Sequence, residues 1–215
     1  LGMIMGSVNA ILENDIRRMI AFSSVAQIGY IYMGLGLATE AGSIASLYHV
    51  LSHGATKSLL FVAAAGLADA SGGSDRYGDI TGAGFRNRLA GVAFTVGSLS
   101  MVGMPVFSGF ISKLLFAQAA VGHTHKMLPT VIALAISTVL NAVYFMKTVI
   151  RIYTRKPMGL SGMGSGGAET GRVVSLSEQP AKSAALVCFI LLNLILGLNS
   201  DPIVRLIQSG IEMFE

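Results

Sequence analysis

The chain has 215 residues, of which 53% are hydrophobic and 12% are charged, and its mean hydropathy is +0.67. This composition excludes an ordinary soluble domain and is typical of a protein with several membrane-spanning segments. The net charge of +4 does not indicate nucleic-acid binding, because most basic residues fall in the loops between apolar segments. A single cysteine, Cys188, excludes a disulfide framework and most metal sites.

The first part of the chain contains one short and one complete apolar segment. Residues 1–12 are too few to cross a bilayer, so we interpret them as the end of a helix that begins before Leu1, and the chain as a fragment. Arg17 and Arg18 follow in a short loop. Residues 20–37 are predicted to form the next spanning helix, with a few mildly polar side chains.

The third segment, residues 43–68, is long enough to span and carries three basic side chains in its middle. His49, His53 and Lys57 follow at i, i+4 and i+8, which places them on one face of a helix. Lys57 lies about 17 Å from the nearer helix end, beyond the reach of its own side chain to water. We therefore expect Lys57 to face protein or internal water instead of lipid.

A Gly- and Asp-rich loop, residues 69–88, is predicted to lie in water, and a broken helix follows it. Residues 89–120 would form a helix of about 48 Å, against a hydrocarbon core of about 30 Å. Gly103, Pro105 and Gly109 interrupt the centre of this segment, and Lys113 follows Gly109 by one turn. Broken helices at membrane depth occur where the irregular backbone is buried in protein or lines a watery cavity.

Two further spans are predicted over residues 128–153 and 181–198, with a loop between them and a short amphipathic tail after them. If the loops alternate sides, ten basic residues fall on one side and two on the other, which indicates a cytoplasmic Arg17 loop. The ten are Arg17, Arg18, Arg76, Arg86, Arg88, Arg151, Arg155, Lys156, Arg172 and Lys182, and the two are Lys126 and Arg205.

The acidic residues all fall in loops, at span edges or in the tail, so Lys57 and Lys113 have no carboxylate of this chain at membrane depth. Burial without a counter-charge favours the neutral amine, and histidine titrates near neutrality. A row of Lys and His therefore predicts a proton relay, whereas a sodium site would need several oxygen ligands.

One other interpretation of the histidines stays open at this point, and a second one is weak. His49 and His53 could be core residues bonded to neighbouring hydroxyls such as Ser46 and Ser52. A zinc site is not supported, because Val50 stands where a zincin has glutamate. We expect no metal and no cofactor.

Three motifs resemble those of the antiporter-like subunits of respiratory complex I, of Mrp-type cation/proton antiporters and of membrane-bound hydrogenases. Residues 15–24, DIRRMIAFSS, are similar to the family's D-x-K/R-R-x-x-A-[YF]-S-S segment. The row His49-x3-His53-x3-Lys57 resembles the family's H-x3-H-x3-K helix. The stretch from Pro105 to Lys113 is similar to the broken-helix motif P-x3-G-F-x-x-K.

The resemblance implies an all-α, multi-pass transmembrane bundle with a second five-helix inverted repeat, broken around Pro105, and a terminal helix. The corresponding domains would be residues 1–154 for the repeat, with an incomplete first helix, 155–180 for a cytoplasmic loop, and 181–215 for the terminal helix and tail. It also implies a central relay lysine at Lys57, bridging groups at His53 and His49, and an outward-leading lysine at Lys113.

The function expected from the resemblance is proton translocation as a membrane subunit of an ion-pumping or antiporter complex. The partners would be other membrane subunits, protons, the lipid bilayer and, in the Mrp case, sodium; we expect no nucleic acid. We expect no chemistry of the chain's own, although it could belong to an NADH:quinone oxidoreductase-type or hydrogenase translocase. The expected location is the plasma (inner) membrane of a prokaryote. The alternatives are an Mrp-type sodium/proton antiporter subunit and a non-conducting transmembrane scaffold.

Overall fold

The computed structural model describes residues 1–122, 126–155 and 180–213, and within these ranges the chain is helical, without strands. The helices in these ranges are α1 (Gly2–Leu12), α2 (Ile16–Leu35), α3 (Glu40–Asp69), α4 (Ala83–Arg86), α5 (Arg88–Val102), α6 (Ser108–Val121), α7 (Met127–Ile152), α8 (Pro180–Leu198) and α9 (Asp201–Glu212). Most of the predicted loop 155–180 lies outside the described residues.

The expected all-α, multi-pass membrane architecture is confirmed. Helices α3, α7 and α8 are long and apolar enough to cross a membrane. Helix α2 has 20 residues but does not reach the same apolar composition, and the fourth predicted segment consists of the two shorter helices α5 and α6. Three of the five predicted spans therefore meet this criterion as single helices within the described ranges.

Helix α3 lies at the centre of the bundle. It packs against α2 on one side and against α5, α6 and α8 on the other, while α7 packs against α1, α2, α5 and α6. The apolar side chains of α3 that fill the core include Leu59, Leu60 and Leu67, each fully buried. Polar side chains on the inner face of α3, such as His49 and Lys57, are therefore buried in protein.

The predicted break around Pro105 is confirmed, because α5 ends at Val102 and α6 begins at Ser108. Gly103 has a φ of +93°, a left-handed conformation that glycine adopts without steric cost. Its N–H donates to the Ser100 carbonyl at 3.0 Å, and the Met104 N–H donates to the Leu99 carbonyl at 3.0 Å. This Schellman arrangement closes α5 inside the bundle and satisfies two of its last carbonyls.

The expectation that residues 69–88 simply lie in water is wrong in part. Ile80 is fully buried and Tyr77 is 3% exposed. The Ile16 N–H donates to the Asp75 carbonyl and the Tyr77 N–H to the Asn14 carbonyl, each at 3.0 Å. The loop folds back over the end of the bundle because its few apolar side chains cover the ends of the core helices.

The conformation of Gly103 generates a stability prediction. Gly103→Ala would force alanine into a left-handed conformation and place its Cβ 2.8 Å from Lys113 Cδ. We expect a loss of about 1–3 kcal/mol in the free energy of unfolding. The measurement is thermal unfolding of the detergent-solubilised protein.

Gly54→Ala is the matched control, since Gly54 lies within α3 with nothing within 4 Å of an added Cβ. It should be neutral or stabilising by up to about 1 kcal/mol. Equal melting temperatures for the two variants would contradict the role given to Gly103.

Candidate functional site

The Lys57 amine lies in the interior of the bundle, as its sequence position predicts. Lys57 is 7% exposed. Its Nζ donates to the Ile20 carbonyl at 2.7 Å and to the Ser23 hydroxyl, both on α2. The ring centroid of Phe145 lies 6.0 Å from the same nitrogen, at the outer limit of a cation–π contact. The amine is thus held by neutral groups, away from lipid.

The two histidines stack on each other one turn apart along α3. Their ring centroids are 5.9 Å apart with an interplanar angle of 15°. His49 Nδ1 lies 2.5 Å from the Ser112 hydroxyl of α6. His49 Nε2 and His53 Nδ1 are buried and have no hydrogen-bond partner in the described part of the chain. Buried polar atoms of this kind are normally satisfied by ordered water, which would link the two rings.

The interpretation of the histidines as core residues bonded to hydroxyls fits His49, but its partner is Ser112 instead of Ser46 or Ser52. Ser46 donates to the carbonyls of Ile31 and Gly42, and Ser52 donates to the Ser108 hydroxyl at 2.8 Å. These two hydroxyls therefore bond to other groups of α2, α3 and α6 and not to the histidines. The contact of His49 comes from the helix that follows the break.

Lys113 sits on the C-terminal end of α5. Its Nζ donates to the carbonyls of Met101 and Val102 at 2.7 and 2.5 Å. These carbonyls end a helix whose C-terminal dipole favours a cation, and the Schellman turn leaves them without another partner. The break therefore creates a binding position for the Lys113 amine within the bundle. The Lys113 side chain is partly buried there.

A small cavity joins the histidine pair to Lys113. It has room for about one water molecule, and its walls combine hydroxyl, amide, imidazole and amine groups. Lys57 does not line this cavity, and its amine contacts α2 instead. His53, His49 and Lys113 line it together, so the relay order Lys57, His53, His49, Lys113 stays a prediction. The lining residues are Gln27, His49, Ser52, His53, Thr56, Ser100, Met101, Gly109 and Lys113.

A network of neutral side chains beside this cavity includes one residue that the sequence argument did not identify. The Ser108 hydroxyl donates to Asn193 Oδ1 at 3.0 Å, and Asn193 Nδ2 donates to the Thr56 hydroxyl at 2.7 Å. Asn193 lies in α8 and is fully buried. A lone amide within an apolar span is the signal that could have found it.

A polar stripe on α7 was also missed. Ser137, Asn141, Tyr144 and Thr148 follow at helical spacing and are at most 1% exposed. The Tyr144 hydroxyl donates to Asn141 Oδ1 at 2.5 Å and lies close enough to Ser23 to interact with it. The stripe therefore lies beside Ser23, which bonds to the Lys57 amine, and its spacing was readable in the sequence.

One end of the bundle carries an open charged pocket. Arg18, Arg76 and Arg151 line it together with acidic side chains. Nearby, Arg17 pairs with Asp75 at 3.1 Å; burial raises the pKa of the Asp75 carboxyl, and Arg17 opposes that rise. Four of the basic residues that the orientation argument assigned to one side, Arg17, Arg18, Arg76 and Arg151, therefore lie together in the described ranges. No cluster of three side chains able to hold a metal ion occurs in the described ranges.

Comparison with known proteins places these features in one family. Residues 1–141 match the family described as NADH:quinone oxidoreductase/Mrp antiporter, transmembrane. A curated relative, NADH-quinone oxidoreductase subunit N of Desulforudis audaxviator, is 35% identical over 80% of this chain and 33% of its own length. F(420)H(2) dehydrogenase subunit L of Methanosarcina mazei is 31% identical over 68% of this chain and 23% of its own length. The chain thus spans a third or less of these two relatives.

Three solved structures show the same fold. A chain of the Mrp complex from Dietzia sp. DQ12-45-1b is similar with a TM-score of 0.81 and 24% identity, over 97% of this chain and 44% of that one. A chain of the archaeal membrane-bound sulfane sulfur reductase gives 0.81 and 26% over 100% and 40%. A chain of respiratory complex I from Thermus thermophilus gives 0.78 and 19% over 99% and 42%.

The contact between His49 and Ser112 generates the second prediction. Ser112→Ala would leave both ring nitrogens of His49 without a protein partner, at a cost of about 1–3 kcal/mol. Ser98→Ala is the matched control, because the Ser98 hydroxyl is also fully buried but has no partner in the described part of the chain. Thermal unfolding should show a lower melting temperature for Ser112→Ala alone, and an equal loss in both variants would refute the contact.

Proposed function

Because the chain belongs to the NADH:quinone oxidoreductase/Mrp antiporter transmembrane family, we propose that it is a proton-translocating membrane subunit of an ion-pumping or antiporter complex. In this proposal Lys57, His53, His49 and Lys113 relay protons. One observation carries it: two amines are held inside the bundle by neutral oxygens, at either end of a stacked histidine pair. In the described ranges every ion pair lies outside this row.

The geometry supports a stepwise transfer. The Ile20 carbonyl and the Ser23 hydroxyl stabilise a proton on Lys57, while the absence of a carboxylate contact leaves the amine able to release it. His53 Nδ1 and His49 Nε2 are the unpartnered atoms of the row and are available to water. A proton that reaches the cavity can then be taken by Lys113, where two backbone carbonyls stabilise the ammonium.

The direction of transfer follows from the orientation proposed above. If the end with Arg18, Arg76 and Arg151 faces the cytoplasm, as the excess of basic residues favours, the outward-leading role that the family resemblance implies for Lys113 completes the path. The membrane would be the plasma (inner) membrane of a prokaryote, in keeping with the named relatives. The structures that the chain resembles come from multisubunit membrane complexes, which supports neighbouring subunits as partners and as the source of the driving force.

The proposed organisation has three parts. Residues 1–154 form the antiporter-like repeat, with α1, α2, α3, the broken pair α5 and α6, and α7 as its helices. Residues 155–180 connect on the cytoplasmic side. Residues 181–215 supply the terminal helix and the amphipathic α9.

The third prediction tests the relay in the complete protein within its assembled complex. Lys57→Ala and Lys113→Ala should each lower the proton flux into proteoliposomes at least about tenfold. The methyl group of alanine cannot accept or release a proton, so each variant interrupts the relay. Lys126→Ala is the control, since Lys126 is exposed and bonds only the Gly36 carbonyl in the described ranges. Unchanged flux in both relay variants would leave a non-conducting scaffold as the better account.

The likeness to the Mrp complex supports a second candidate, a sodium/proton antiporter subunit. The two candidates differ in whether proton movement requires sodium. Counter-transport of sodium in the same proteoliposomes, at a fixed proton leak, would favour the antiporter, and proton flux independent of sodium would favour the pump.

A further inference from the structure

The linker of the broken helix, residues 103–107, contains a backbone conformation that its sequence does not favour. Val106 has a φ of +83°. A β-branched residue in the left-handed region is strained and persists only where the surrounding structure holds it. Val106 and Pro105 are both exposed in this chain, so their side chains do not supply that hold.

The contacts that hold the linker come from α8. Gly197 packs so closely against the linker that an added Cβ would meet the backbone of Val106 and Phe107. One turn earlier, Asn193 accepts a hydrogen bond from Ser108, the first residue of α6, and donates to Thr56 of α3. Asn193 and Gly197 are four residues apart and so share one face of α8.

The position of the linker determines how the Lys113 amine contacts the carbonyls of Met101 and Val102. The carbonyls that receive its amine, those of Met101 and Val102, are the last two of α5, directly before the linker. Lys113 itself belongs to α6, which begins directly after the linker. A shift of the linker therefore changes the distance between the amine and its two carbonyls, and also moves Ser112 relative to His49.

We propose that Asn193 and Gly197 of α8 form a clamp on this linker and are positioning residues for Lys113. The terminal helix then takes part in proton transfer although it lies outside the five-helix repeat. The clamp rests on the proposed relay, because its effect on flux is exerted through Lys113. The clamp gives α8 a role beyond general packing, because the contacts of Asn193 and Gly197 hold one strained segment.

The fourth prediction uses Asn193→Leu and Gly197→Ala in the complete protein within its assembled complex. Both should lower the proton flux at least about fivefold and increase the acylation of Lys113, but not of Lys57, by an amine-reactive probe measured by mass spectrometry. Tyr48→Phe is the matched control. It removes another buried hydrogen bond between α3 and α8, from the Tyr48 hydroxyl to the Leu196 carbonyl at 2.5 Å, and should leave both readouts near those of the parent protein.

A double-variant cycle keeps the proposal testable if Asn193→Leu assembles poorly. Val106→Gly supplies a residue that adopts a φ of +83° without strain, so the linker should depend less on the clamp. Gly197→Ala should then cost less flux in the Val106→Gly background than in the parent, a coupling that independent sites would not show.

The outcomes separate the clamp from the relay. Equal losses in Tyr48→Phe and Asn193→Leu, or additive effects in the cycle, would reduce α8 to a packing helix and overturn the clamp. Normal flux in both clamp variants would overturn it as well, while a loss of flux in Lys57→Ala would still support the relay. Normal flux in Lys57→Ala and Lys113→Ala would overturn the relay itself.

Discussion

The structure depends on amines that rest on neutral oxygens inside a helical bundle. Lys57 is held by a backbone carbonyl and a hydroxyl, and Lys113 by two carbonyls. A carboxylate at either place would fix the positive charge, because breaking a buried ion pair is costly. Carbonyl dipoles stabilise the ammonium less strongly, so the charged and neutral forms stay closer in free energy. The choice of partner, more than the depth of burial, therefore supports the proton exchange proposed for these lysines.

The broken helix provides such a dipole at membrane depth. A continuous helix has its free carbonyls only at its ends, whereas the stop at Gly103 exposes those of Met101 and Val102 within the bundle. Several groups at the break have partners: the Gly103 and Met104 N–H groups bond back to α5, Lys113 takes the last two carbonyls of α5, and Ser108 bonds to Asn193. The polar network thus satisfies the backbone groups that the break would otherwise leave unpaired in an apolar environment.

The sequence predicted the features that follow from local spacing. The depth of Lys57, its row with the histidines and the break around Pro105 depend on residues at most a few turns apart. It could not predict the partner of His49, because Ser112 lies 63 residues further along the chain. The bond between Thr56 and Asn193 joins positions 137 residues apart. The folding back of the loop with Ile80 likewise depends on tertiary packing, which overrides a polar local composition.

The carbonyl of Ile20 links the Lys57 amine to the hydrogen bonding of helix α2. This oxygen receives the amine at 2.7 Å, the Ser23 hydroxyl at 2.8 Å and the Ser24 hydroxyl at 3.3 Å, one turn from Arg17 at the start of α2. Three side-chain donors therefore compete with the helix's own N–H for one acceptor. A change of charge on the amine would therefore alter how this carbonyl is shared, and with it the hydrogen bonding of the first turns of α2.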